Sequence, residues 1–75
     1  ILLLARHEGI FTETAGGTTT AVLKKLVETG QLDTELETVI INTGMGLKTL
    51  DAIADQVGPA ATIAPTYAAF SATGI

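Results

Sequence analysis

Apolar residues fill the opening from Ile1 to Ala5 without interruption and give way to Arg6, His7, Glu8 and Gly9. This order predicts the last turns of a buried helix over Ile1 to Glu8, with Gly9 as its left-handed stop and Arg6 and His7 beside the negative helix end. Ile10 to Glu13 reads as a short extended stretch that runs into Gly16 and Gly17 and a helical pattern beyond them. Val22, Leu23, Leu26 and Val27 recur at the three- and four-residue spacing of one helical stripe, with Lys24, Lys25 and Glu28 facing away. Gly30 closes that helix, and a polar, acidic connector follows from Gln31 to Glu37. Val39, Ile40 and Ile41 form a β-branched run bounded by polar residues, the pattern of a strand covered on both faces in a parallel sheet. After Asn42 to Gly46, a second amphipathic stripe comprises Leu47, Leu50, Ile53, Ala54 and Val57, and Gly58 and Pro59 end it. Thr62 to Ala64 reads as a third short strand, and Pro65 to Ala72 as a terminal helix with Tyr67 and Phe70 on one side.

The alternation of helix and strand predicts an α/β architecture with parallel strands joined by right-handed crossovers. Two or three short strands make a poor sheet, and a strand apolar on both faces needs helices on both sides, so the pattern fits a piece of a larger domain. Composition agrees. The chain has 75 residues, of which 47% are hydrophobic and 16% charged, values that suit a core-forming unit rather than a disordered one. A chain of this length buries only about 60% of its unfolded surface, and it has no cysteine to supply disulfides or thiolate metal sites. The apolar opening is expected to lie inside an element, and it lacks the basic flank and cleavage pattern of a signal peptide. No stretch reaches the roughly 20 apolar residues of a bilayer span, so a cytoplasmic protein is expected.

Charge and residue types narrow the chemistry. A net charge of −4 with four basic residues argues against a nucleic-acid partner, which draws on clustered Lys and Arg. The single His7 has none of the familiar metal-ligand spacings around it, and no metal is expected. In open α/β sheets ligands bind beyond the carboxyl ends of strands, where this chain offers Thr12 to Gly17 and Asn42 to Gly46. Glycine there lets a flat ligand approach the backbone, and the Thr43 hydroxyl can donate one hydrogen bond or accept two. The same glycines serve equally as tight-turn residues, and Thr14 or Thr18 as a helix cap. Gly44-Met45-Gly46 lacks the third glycine of a dinucleotide fingerprint, and Leu47 between Gly46 and Lys48 breaks a phosphate-binding loop. Glu13 is either a general base or an acid placed for the helix dipole, His7 reads as a surface group, and Lys48 is expected to pair with Asp51 or Glu37.

Glu8-Gly9-Ile10-Phe11 leading to Glu13-Thr14-Ala15-Gly16-Gly17, and Asn42-Thr43-Gly44 with Gly46-Leu47-Lys48, resemble the C-terminal part of bacterial threonine synthases, especially the actinobacterial type. The resemblance covers nearly the whole chain. It implies that residues 1–75 are an incomplete C-terminal portion of the catalytic domain of a fold-type II, pyridoxal-phosphate-dependent lyase, a three-layer α/β fold with a parallel sheet. Such an enzyme converts O-phospho-L-homoserine and water into L-threonine and phosphate, with the cofactor as electron sink. By the resemblance, Thr43 hydrogen-bonds the pyridine nitrogen of the cofactor, and Glu13, Ala15 and Gly16 line the same face.

Two positions depart from the family pattern: Met45 stands where a polar residue such as Asp is expected, and His7 where Thr is expected. The Schiff-base lysine, the phosphate-cradling loop and the substrate-phosphate residues have no counterpart in these 75 residues. No catalytic residue is therefore assigned, and the chain alone is expected to be inactive. The parent is expected to be a homodimer. Two alternatives stay open: a free-standing α/β phosphate-binding or interaction module, and another fold-type II enzyme such as a threonine or serine dehydratase.

Overall fold

The computed structural model describes all residues from Ile1 to Ile75. Helix α1 covers Leu2–Glu8. Gly9 ends it at φ 68°, donating its N–H to the Ala5 carbonyl, with Arg6 and His7 in the last turn. Leucine and alanine favour helix, and the Arg6 guanidinium lies near the negative end of the backbone dipole.

Helix α2, Thr14–Glu28, starts before the two glycines rather than after them. Thr18, Thr19 and Thr20 each return a hydroxyl to the carbonyl four residues earlier, so their polar groups stay within the helix. Its end is a Schellman motif. Gly30 at φ 70° donates to the Val27 carbonyl, and Gln31 reaches back to Leu26 at 2.9 Å; this is the left-handed stop that only glycine adopts without strain. Along the stripe Leu23 and Leu26 are half-buried, whereas Val22 and Val27 stay exposed. Neither Thr14 nor Thr18 caps the helix: the N-cap is Glu13, whose side chain makes no capping bond, and the Thr14 N–H instead reaches the Thr49 hydroxyl at 3.1 Å.

The second amphipathic stripe does not form an α-helix. Gly46–Ala52 is a 3₁₀ helix interrupted at Thr49, where φ is −132° and ψ 41°, and tight turns carry the chain through Ile53 to Val57. Thr49 is β-branched and its hydroxyl is committed to the Thr14 N–H, which holds it away from helical geometry. The terminal helix is present as α3, Tyr67–Ala72, capped by Thr66, whose hydroxyl accepts from the Ala69 N–H at 3.1 Å.

The expected parallel sheet is absent, and the α/β, three-layer fold class is overturned for this chain. Its helices are joined by irregular segments, and the pairing present is a lone antiparallel bridge between Thr12 and Met45. Ile10 to Glu13 contributes only that bridge. Val39 to Ile41 makes no ladder, with Val39 82% and Ile41 72% exposed. Thr62 to Ala64 likewise pairs with nothing. A β-branched run records a preference for a pleated, covered surface, yet a strand exists only where neighbouring backbone answers its N–H and C=O groups.

Packing reflects the missing sheet. Ile53 is the one buried large hydrophobic side chain, at 6% exposure. Beside it, α1 and the segment after the 3₁₀ helix enclose an apolar cleft of about 500 Å³ lined by Leu2, Phe11, Leu50 and Val57 among others. The radius of gyration is 17.4 Å and the long axis 53 Å, against about 11 Å for a compact chain of this length.

Candidate functional site

The loop from Asn42 to Lys48 lies against the entry of α2 and is fastened there by backbone and side chains together. The Glu13 N–H donates to the Gly44 carbonyl at 3.1 Å, and the Gly46 N–H to the Phe11 carbonyl at 2.9 Å. These two bonds flank the Thr12–Met45 bridge. Both glycines are needed for so close an approach: a Cβ on Gly44 would overlap the Glu13 carboxylate, and one on Gly46 would overlap the Phe11 ring.

Glu13 sits at the centre of the clasp, only 7% exposed. Its Oε1 accepts from the Thr43 hydroxyl at 3.0 Å, and its Oε2 faces the Lys48 ammonium at 3.0 Å. Lys48 first, and the Thr43 hydroxyl second, favour the ionised carboxylate and outweigh the opposing effect of burial, so the Glu13 pKa lies below its ordinary value. Lys48 thus pairs with Glu13 and with neither Asp51 nor Glu37. Behind this pair, the fully buried Thr12 donates to the Asn42 side-chain oxygen at 2.5 Å.

The sequence-derived site residues separate into two groups. Glu13 and Thr43 meet directly. Gly16 is buried in the first turn of α2, where a Cβ would overlap the Thr12 hydroxyl and approach Asn42; its bareness serves the Thr12–Asn42 contact. Ala15 is exposed on the first turn of α2, and Thr43 is exposed at the loop. His7 lies apart, exposed in the last turn of α1. Thr12, which opens the first candidate segment, completes the arrangement together with Lys48 and Thr49, which lay outside both segments. Lys48 had a signal in its place within the Gly-Leu-Lys segment; Thr49 had none.

Chemically, the clasp offers an exposed neutral hydroxyl whose single hydrogen is taken by a buried, charge-compensated carboxylate. The lone pairs of that hydroxyl stay free to accept, and its hydrogen can pass to another acceptor only by leaving Glu13.

No protein-family profile matches the chain, and no solved structure does. Among curated proteins, the chain is similar to threonine synthase of Methanocaldococcus jannaschii, with 54% identity over 50 residues. That match takes in 67% of this chain and 12% of the archaeal protein's length. Residues 1–75 therefore carry a threonine synthase-like segment.

Proposed function

We propose that residues 1–75 are the C-terminal part of the catalytic domain of a threonine synthase, a fold-type II lyase that uses pyridoxal phosphate to convert O-phospho-L-homoserine and water into L-threonine and phosphate. The observation that carries the reading is the 54% identity over 50 residues to a threonine synthase. The residues also suit the group: a ring nitrogen calls for one small polar partner, and the exposed Thr43 hydroxyl beside half-buried Gly44 is such a partner. When bound, the cofactor supplies an electron sink for the carbanionic charge of the reaction.

The residues of this chain would bind and orient. The Thr43 hydroxyl would donate to the ring nitrogen, a neutral contact that supports the ring without the full charge stabilisation a carboxylate would give. Ala15 would present a small apolar surface to the ring. Gly16 and Glu13 would act from behind, Gly16 by admitting Thr12 close to α2 and Glu13 by holding the Thr43 hydroxyl until the ring nitrogen takes its hydrogen. The remaining cofactor and substrate contacts would come from other parts of the parent, which we place in the cytoplasm as a homodimer.

Replacing Thr43 by valine in the full-length protein tests this reading, since valine keeps the shape and removes the hydroxyl. The expected result is a changed absorbance spectrum of bound cofactor and a fall in turnover of about tenfold or more, the scale of one lost polar contact in a closed site. Full turnover with an unaltered spectrum would remove Thr43 from the site. Production of phosphate from O-phospho-L-homoserine by the unaltered full-length protein tests the activity itself.

A further inference from the structure

A hydroxyl has one hydrogen to give, and that of Thr43 is already given. Glu13 is held as a carboxylate by Lys48, an ionised carboxylate only accepts, and the 3.0 Å contact is therefore a donation from Thr43 Oγ to Glu13 Oε1. A ring nitrogen that presents a lone pair to Thr43 must win this hydrogen from Glu13. The Glu13 backbone is pinned, its N–H bonded to the Gly44 carbonyl and its own carbonyl accepting from the Gly17 N–H. Lys48 is on the outside of the contact, its side chain 67% exposed against 9% for that of Glu13, and it holds the carboxylate oxygen that Thr43 does not.

We propose that Glu13 and Lys48 are a positioning pair that sets how readily Thr43 surrenders its hydroxyl hydrogen to the lone pair of an aromatic ring nitrogen. The carboxylate fixes the Thr43 rotamer, and the ammonium draws charge from the carboxylate so that its grip on the hydrogen is moderate. Without Lys48 the bare carboxylate would bind the hydroxyl hydrogen more strongly, since hydrogen bonds to an uncompensated charge are stronger than those to a compensated or neutral acceptor. The proposal rests on the reading of Thr43 given above.

The test uses the full-length protein and pyridoxal phosphate labelled with ¹⁵N in the ring. Lys48→Met is expected to weaken cofactor binding about three- to tenfold, the difference between a charged and a neutral acceptor. Adding Glu13→Gln to Lys48→Met is expected to recover most of that loss, because the amide competes for the hydrogen as a neutral group. Lys48→Arg keeps the charge and is expected to bind the cofactor more tightly than Lys48→Met. An ion pair with only a structural role is broken alike in Lys48→Met and in the double variant, so equal weakening of both would overturn the proposal. An unchanged affinity in Lys48→Met would overturn it too. A ¹⁵N shift showing a protonated ring nitrogen in the unaltered protein would mean that Thr43 accepts rather than donates, and the proposal would fall. Thr43→Val separates the two levels. If it alters neither affinity nor ring shift, the underlying reading fails; if it weakens binding while the Lys48 variants behave as a structural pair, only the present proposal fails.

Discussion

Glu13 is the residue whose charge most depends on the folded chain. Its pKa is depressed by Lys48 and Thr43, so the contribution of the clasp is complete above the ordinary value of 4.5 and is lost as pH falls through the lower folded value. The carboxyl ¹³C resonance of Glu13 is expected to titrate below 4.5, and the Thr43 contact to loosen over the same range; titration at or above that value would show that the ion pair is not formed. Steric fit makes a second prediction at this scale. Gly46→Ala puts a methyl group into the Phe11 ring and is expected to cost about 1 to 3 kcal/mol. Gly58→Ala meets nothing within 4 Å and should shift stability by no more than about 0.5 kcal/mol. Denaturant unfolding of the full-length variants compares the two. The glycines were visible in the sequence as loop residues, but their reasons were not: Gly44 and Gly46 make room for Glu13 and Phe11, each more than thirty positions away in the chain.

Elements were legible where their ends are written in neighbouring residues. Gly9 and Gly30 stop α1 and α2 in the left-handed conformation, and Thr66 after Pro65 opens α3 with a side-chain cap, all local codes acting within a few positions. Thr66→Ala should free the Ala69 N–H and speed its hydrogen exchange about fivefold, the effect of roughly 1 kcal/mol in a lost cap. Elements that depend on distant partners were misjudged. Leu47 to Val57 has the spacing of an α-helix, yet Thr49 is engaged by Thr14 of another element and the backbone follows that contact into a 3₁₀ turn. Ile53 survives from the predicted stripe as the buried hydrophobic anchor, and Ile53→Ala is expected to destabilise by about 2 kcal/mol or more.

At the scale of the molecule, a radius of gyration of 17.4 Å and exposed Val39, Ile41, Leu47 and Tyr67 describe a chain whose apolar surface exceeds what it can cover by itself. The isolated 75 residues are expected to bind hydrophobic dyes and to melt without a sharp transition, as calorimetry would record. A cooperative melt with a scattering radius near the compact value of about 11 Å would contradict this. The amino-acid order by itself determined the stops of α1 and α2, the cap of α3 and the two glycine-bearing segments, because each is set by dihedral preference or spacing within a few residues. Only the tertiary structure decided that Val39 to Ile41 is no strand, that Lys48 answers Glu13, and that Thr43 gives its hydrogen to that carboxylate. Strands and long-range ion pairs need a partner brought from far along the chain, and a local pattern carries the preference for such a partner without its identity.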